Sequence, residues 1–599
     1  MYLFEISILY LYLIISGYFL NFYFNIKFQK TFLFSIILLN LIIYFIYQQN
    51  QIHLIDKIIY VLIIIYFSLL IVKIKKIKIN KNIILFSFIY FVIAIICYER
   101  YFLDHDEFSY WGKYIKSIFA LKESFYSNYK IDPYVTVFEN LENTGAPDTW
   151  RVHLNQTINI YHKPLNPIYQ YSIMQKSGYR EDLAIFANNV VLISSFLFIL
   201  KDSFKINKII ILFFLYYSLL NCLSFGFVSI YLDPILCSVF FVCIYYSYKI
   251  FSSGTVNIDK ILALVLILTY LTLIHRSGLI YTVYILLFIF YLRVNLYYPK
   301  YNLIILLVTI ISIPLIYELY NIRNNYLFDF FNLINTYLYF SEFGTIFKYL
   351  LNYFEISKDN NFPLKIYLIF WIGLVGLSLL FFGYKNILYF FIIIIFLHTF
   401  IILILKVYNI NPLNLLSSDE VFSEYQIHIQ HLPRYFSVII FSFLFFIIVT
   451  KIENFKKISL FILIFFIFSI IPLKAIGFFL PENIYNIKKD NLEFFKIRKD
   501  LKTKATYFKN NYDNFDYKNN ILITTRDRVS ELIDHNSIFE EILIYEIYPL
   551  AYNYLYPNEL KKYLDEHNML LSNQNYIILN SSSKKDKEVV NHILKNEKN

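Results

Sequence analysis

Apolar residues in this chain come in long unbroken runs, separated by short stretches where lysine, asparagine and aspartate collect. A run of roughly 17 to 22 apolar residues is the length an α-helix needs to cross the hydrocarbon of a bilayer. About fourteen such runs can be read, near 4–23, 31–48, 56–73, 83–98, 183–200, 208–225, 229–249, 260–276, 278–297, 302–319, 364–383, 386–406, 435–450 and 457–479. The pattern predicts an all-α polytopic membrane protein. Beyond about Pro481 the runs stop. Short apolar stretches at 519–525, 541–549 and 574–580, with a helix candidate at 557–567, then alternate strand and helix signals and predict a small α/β domain. The expected division is N-terminal transmembrane helices over 1–82, a transmembrane core over 83–480 with a long loop at 99–182, and a soluble C-terminal domain over 481–599.

Composition agrees with the runs. Of 599 residues, 58% are hydrophobic and only 16% charged, far from a soluble globular average. The first run has no basic segment before it and no small-residue cleavage site, so it reads as a retained span rather than a signal peptide. Cys97, Cys222, Cys237 and Cys243 all fall within predicted spans, which leaves neither a disulfide framework nor a Cys-x-x-Cys metal knuckle. The Phe, Tyr, Ile, Asn and Lys bias is a compositional background, so aromatic content alone does not mark a sugar-binding platform. No internal repeat is visible, and the inverted halves common among secondary transporters have no support.

The net charge of +11 changes the picture through its placement. Lysines concentrate in the short loops "KIKKIKINK" (73–81), "KDSFKINK" (201–208), "KIFSSGTVNIDK" (249–260) and "KIENFKK" (451–457), and positive loops are retained on the cytoplasmic side. Those loops set a register that places 99–182, the loops near 320–363 and 407–434, and the whole tail outside. Topology accounts for the charge without a nucleic-acid partner.

Candidate chemistry opens at "ERYFLDHDEFSYWGKYIKSIF" (99–119), directly after an apolar run. Asp104, Asp106 and Glu107 repel one another unless paired, hydrated or bound to a cation. Neighbouring carboxylates at a helix end also suit general-base work, one ionised and one engaged with a metal or hydroxyl. An ordinary hydrated helix end is the bland alternative. In the residues that follow, Trp111, Ile115, Ile118 and Phe119 recur at helical spacing while Lys113, Lys116 and Lys122 point elsewhere. This predicts an amphipathic helix lying along the outer leaflet with its tryptophan at headgroup depth.

"DEFSYWGKYIK" resembles the "DEFSHWG" type of signature in large bacterial integral-membrane glycosyltransferases of the GT-C superfamily. "YHKPLNPIYQY" (161–171) is similar to that group's tyrosine- and proline-rich stretch, although His162 and Lys163 interrupt the usual Tyr-Pro-Pro opening and no Gly-Thr follows. "SIYLDPILCSVF" (229–240), "LIHRSGLIY" (273–281) and "LPRYFSVII" (432–440) resemble further family stretches, in the family's order, over residues 85–480.

The resemblance implies an inverting transfer of sugar from a polyprenyl-phosphate donor to an envelope glycan, lipid or protein acceptor. It places the chain in the bacterial inner membrane with its active site and C-terminal domain on the extracytoplasmic side. Asp106 would be the catalytic base, with Glu107 and Asp104 orienting the acceptor. The same three, Asp104, Asp106 and Glu107, would be the ligands if a divalent cation such as Mg or Mn is used. A leaving lipid phosphate needs positive charge, for which Arg276, Arg434, Lys163 and Arg151 are candidates, with Asp233 and His275 beside the cavity. Arginines at span ends also snorkel to headgroups, and Asp233 can simply partner one of them. His398, alone in an apolar span, is expected to pack in the bundle, and "SSDEVFSEYQIHIQH" (417–431) to rim the acceptor entrance or lie in a solvated loop. The alternatives are an O-antigen polymerase or ligase, whose largest external loop usually comes later, a lipid-linked glycan transporter or flippase, and a non-catalytic assembly protein.

Overall fold

A computed structural model describes residues 1–49, 51–73, 81–102, 111–121, 151–153, 165–201, 204–221, 230, 232–252, 258–294, 364–410, 432–451, 503, 520–523, 552–555, 560–561, 564–565, 570–578 and 584–597. The predicted spans near 302–319 and 457–479 lie outside these residues, as do the stretches 541–549 and 417–431 and Cys222.

The described apolar runs form helices. In chain order they are α1 (Tyr2–Phe24), α2 (Phe28–Gln48), α3 (Ile52–Ile71), α4 (Lys81–Cys97), the short α5 (Lys113–Leu121) and α6 (Leu165–Ile173), then α7 (Glu181–Ile199) and α8 (Ile206–Asn221). After them come α9 (Asp233–Ser252), α10 (Ile258–Ile274), α11 (Arg276–Val294), α12 (Leu364–Phe381), α13 (Lys385–Ile410), α14 (Leu432–Lys451) and the C-terminal α15 (Lys584–Glu597). Among the described residues five helices, α1, α2, α3, α7 and α9, are long and apolar enough to cross a membrane. Shorter apolar helical stretches lie in α4, α8, α11, α12, α13 and α14.

The ends of the helices follow local chemistry. Helix α1 stops at Asn25, whose left-handed φ of 51° suits a C-cap, and Asn21 in the last turn donates its amide to the Ile26 carbonyl at 2.8 Å. The α12–α13 turn closes through Gly383 at φ 79°, with the Gly383 and Tyr384 N–H groups returning to Leu380 and Leu379. Helix α9 begins at Asp233 rather than four residues earlier, because Pro234 fits only a first turn.

Burial separates centre from rim. All of the apolar window of α7 is buried, against 22% for α3. A helix buried all round belongs in the middle of a bundle. Helices α2, α4, α6 and α9 pack around α7. On α3 and α4, Ile64, Phe67, Ile84, Phe88 and Ile95 are exposed on the outside of the bundle, the surface expected to meet lipid. His398 is buried where expected, its Nδ1 3.0 Å from the Tyr284 hydroxyl.

Helix directions follow from the contacts. Ser442 Oγ donates to the Cys237 carbonyl at 3.1 Å, and Phe241 meets Phe445 at 4.9 Å, so α9 and α14 run parallel. Helices α10 and α11 form an antiparallel hairpin joined at His275 and pinned by Thr272 and Thr282, 2.9 Å apart. Phe240 meets Tyr281 at 5.1 Å near the starts of α9 and α11. Tyr281, Tyr284 and Phe436 all lie against the His398 ring, which brings the starts of α11 and α14 level. Helices α9, α11 and α14 therefore begin at one end of the bundle.

Short strands β1 (Arg151–His153), β2 (Asn520–Ile523), β3 (Tyr552–Leu555) and β4 (Asn575–Ile578) pair in the order β1-β3-β2-β4. Strand β2 is parallel to β3 and β4, while β1, from the long loop, adds antiparallel to β3 with Val152 opposite Asn553.

Candidate functional site

The end where α9, α11 and α14 begin is also where α4 finishes and α7 starts. Helix α4 ends at Cys97, and Glu99 just beyond it has a φ of 55°, a left-handed conformation that few non-glycine residues adopt. Two carboxylates in the first turn of α7 hold that turn. The Glu99 N–H donates to Asp182 Oδ2 at 3.2 Å and the Phe102 N–H donates to Glu181 Oε2 at 2.7 Å. Arg180 closes on Asp182 through two parallel hydrogen bonds, Nε to Oδ1 at 3.0 Å and a terminal nitrogen to Oδ2 at 2.6 Å. The hydrogen bonds it donates to Asp182 outweigh desolvation and hold the Arg180 guanidinium even more firmly protonated than usual.

Asp104, Asp106 and Glu107 lie outside the described residues, but both flanks are described. Upstream, Phe102 is buried and tied to Glu181. Downstream, Trp111 is buried with its ring 6.1 Å from the His275 ring. The helix predicted after the acidic run is present as α5, but its apolar face is not laid on lipid. Trp111, Ile115 and Ile118 are buried in the protein, and Phe119 packs on Tyr171 at 4.6 Å and on Tyr179 at 6.1 Å. The physical reason is that an amphipathic helix offers the same stripe to lipid and to protein, and here α6 takes it.

Helix α6 carries the "NPIYQY" part of the predicted tyrosine-proline stretch and is buried throughout. Tyr171 donates its hydroxyl to Asp56 at 2.7 Å, and burial, reinforced by Asp56, holds that phenol protonated well above its ordinary range. Gln170 and Asn166 both donate to Asn188 Oδ1 on α7, at 2.9 and 3.1 Å. After α6, the N–H groups of Lys176 and Ser177 donate to the buried Glu5 carboxylate at 2.6 and 2.9 Å, which ties the loop's end to α1.

His275 sits in the one-residue joint between α10 and α11. The backbone N–H of Ser277 points at its Nδ1 at 3.2 Å and the Ser277 hydroxyl lies 2.8 Å away. A backbone N–H can only donate, so Nδ1 is an acceptor and a neutral ring carries its proton on Nε2. The joint is tight: a Cβ on Gly278 would land within contact distance of the Leu271 carbonyl oxygen and 2.9 Å from its carbon.

Three further sequence-predicted residues stand in the first turns of the helices that begin at this end. Arg276 is the first residue of α11, Arg434 the third of α14 and Asp233 the first of α9, half-buried. Arg151 is in β1, opposite Tyr554. Lys163 lies outside the described residues. Three helix N-termini at one end supply partial positive charge toward any anion there. Among the described residues no three His, Cys, Asp or Glu side chains gather as a metal site.

Sequence reasoning did not single out Glu181, Asp182 and Arg180, the residues that fix the approach to the acidic run. Their signal was present as "YRED" set against the start of an apolar run. Their partners lie about eighty positions away in the chain, so no local pattern shows the clamp. No family model, no curated protein and no solved structure matches the chain.

Proposed function

We propose that the chain is an integral-membrane glycosyltransferase that moves a sugar from a polyprenyl-phosphate donor to an envelope acceptor on the extracytoplasmic side of a bacterial inner membrane. The observation that carries the reading is the pair of fixed flanks around the acidic run. Phe102 is tied to α7 and Trp111 is packed on His275, one residue from Arg276. Fixed flanks on either side of the acidic run suit a site that must meet a substrate in one geometry.

In the proposed reaction the acceptor hydroxyl oxygen attacks the anomeric carbon and the carbon–oxygen bond to the lipid phosphate breaks on the opposite face. A single displacement inverts the anomeric centre. Asp106 takes the hydroxyl proton, Glu107 and Asp104 hold the acceptor, and the electron pair leaves on the phosphate oxygen. Arg276 and Arg434, in the first turns of parallel-facing helices, meet that charge together with the helix N-termini. His275, with its proton on Nε2, offers a neutral donor. A divalent Mg or Mn ion, if the reaction uses one, falls to Asp104, Asp106 and Glu107.

The proposal includes about fourteen spans and a small extracytoplasmic α/β domain made from the tail. Pairing of β1 with β3 supports the long loop and the tail lying on the same side of the membrane. The described candidates Asp233, His275, Arg276 and Arg434 stand where helices begin at one end of the bundle, which favours an enzyme over a transporter, whose charged sites cluster near the midplane.

The test is a transfer assay with purified protein in liposomes carrying a panel of polyprenyl-phosphate sugars. The proposal expects loss of lipid-linked sugar with an inverted glycosidic product. Movement of intact lipid-linked sugar across the bilayer without bond cleavage would replace it with a transporter. Joining of whole lipid-linked glycans would replace it with a polymerase or ligase.

A further inference from the structure

The N-terminal helices precede the stretch over which the family resemblance runs, yet the first turn of α1 reaches toward both flanks of the acidic run. Tyr2 and Glu5 stand three residues apart on α1, about one turn of helix, so their side chains share a face. Both are buried, at 4% exposure each.

Tyr2 holds the upstream side. Its hydroxyl donates to the Ala94 carbonyl near the end of α4 at 2.7 Å, and the Tyr90 hydroxyl donates to the Ile6 carbonyl at 2.8 Å. The Arg180 guanidinium stands 5.2 Å from the centre of the Tyr2 ring, and the Tyr98 ring meets that ring edge-on at 5.1 Å. A guanidinium is attracted to a ring face, so the Tyr2 ring seats the group that forks onto Asp182. Asp182 in turn accepts the Glu99 N–H.

Glu5 holds the downstream side. The Lys176 and Ser177 N–H groups donate to its Oε1 at 2.6 and 2.9 Å, just past the end of α6. Gln175 adds a hydrogen bond to the Ile55 carbonyl of α3 at 2.9 Å. Helix α6 carries α5 through Tyr171 and Phe119, and α5 begins two residues after Trp111. Fixing the end of α6 therefore fixes the seat of α5.

Packing alone does not call for a carboxylate here. Glu5 is the one charged residue of α1. A carboxylate buried in a membrane helix is costly, and an apolar side chain would fill the same space without that cost. Among the described residues its hydrogen-bond partners are two backbone N–H groups, and no cation pairs with it. Bonds to backbone set the course of the chain itself, which bonds to a swinging side chain would not.

We infer that Tyr2 and Glu5 are positioning residues for the acidic run, one turn of α1 setting both of its flanks. The positioning stands on geometry, while its consequence for turnover rests on the proposed transferase function. Glu5 acts through α6 and α5, and Tyr2 through Arg180 and Asp182; neither needs to touch substrate.

The experiment uses the full chain and two readouts. Amide hydrogen exchange in detergent, followed by mass spectrometry, reports the order of the flanks, and consumption of polyprenyl-phosphate sugar in liposomes reports turnover. Glu5→Ala removes the acceptor and Glu5→Gln returns one oxygen to the same place. Ser16→Ala is the control, since it removes a buried hydrogen bond from α1 to Ser35 of α2 farther along the helix. The expected result is exchange of α5 raised about tenfold in Glu5→Ala, mostly restored in Glu5→Gln and unchanged in Ser16→Ala. Turnover in Glu5→Ala falls by at least about tenfold with KM for the donor unchanged. Unchanged exchange of α5 in Glu5→Ala, or an equal rise in Ser16→Ala, overturns the inference. So does undiminished turnover in a Glu5→Ala protein whose α5 has loosened. A wild type that consumes no lipid-linked sugar refutes the transferase reading alone, and the exchange comparison still decides the positioning. If Glu5→Ala fails to fold, Tyr2→Leu decides in its place: it should raise exchange over residues 99–102, where Tyr2→Phe, which keeps the ring under Arg180, should not, and equal exchange in the two overturns the inference.

Discussion

Gly278 and Asp182 are the residues on which the geometry of the candidate site depends most. Gly278→Ala forces a methyl group against the Leu271 carbonyl across the α10–α11 hairpin, where backbone cannot swing aside as a side chain would. Overpacking of this kind costs about 1–3 kcal/mol, and a lowered unfolding temperature in detergent would register it; an unchanged one would contradict the close approach. Asp182 is buried and receives the Arg180 fork, the Glu99 N–H and the N–H of Leu183. Asp182→Asn should cost about 1–3 kcal/mol, since Arg180 is partly exposed and solvent screens part of the loss. Under the proposed function the same change lowers turnover more than it raises KM for the donor, because it disturbs the approach to Asp106 without touching substrate. A pure KM effect would place Asp182 in donor binding.

The helices themselves were legible in the sequence. Unbroken apolar runs admit few structures in a bilayer, where the backbone must satisfy its own hydrogen bonds, and the described helices stand within a few residues of the predicted runs. Boundaries moved where a single residue decides them, as Pro234 does for α9. What α5 packs against was not legible, because period and polarity define a stripe and not its partner. The clamp from α7 and the β1–β3 pairing were illegible for a different reason, since both join segments far apart in sequence. The pairing gives a prediction of its own. Cysteines at Val152 and Asn553, opposite each other in the register, should form a disulfide under mild oxidation that shifts gel mobility on reduction. Three native cysteines, Cys97, Cys237 and Cys243, are buried and should not compete. Failure to cross-link, with both positions reactive to a small thiol reagent, would separate the loop from the tail.

At the scale of the whole molecule the two ends of the bundle differ in chemistry. One carries carboxylates, an arginine fork, His275 and three helix N-termini; the other carries Lys27, Lys30, Lys201 and Lys249 around a cavity. The lysine end matches the loops that the positive-inside rule assigns to the cytoplasm, and the proposed function therefore has the opposite end facing outward. A small thiol reagent that cannot cross the membrane, applied to intact cells, should label a cysteine at Val152 and spare one at Lys201. The reverse pattern would invert the topology and move the proposed chemistry to the cytoplasm.

The proposed function requires the acidic run between Phe102 and Trp111 to be a catalytic site. The most direct measurement compares wild type with Asp106→Asn for consumption of polyprenyl-phosphate sugar in liposomes, with equal unfolding temperatures as the control for folding. The account predicts consumption by wild type and a loss of at least about a hundredfold in Asp106→Asn. Undiminished consumption by a folded Asp106→Asn protein would contradict it.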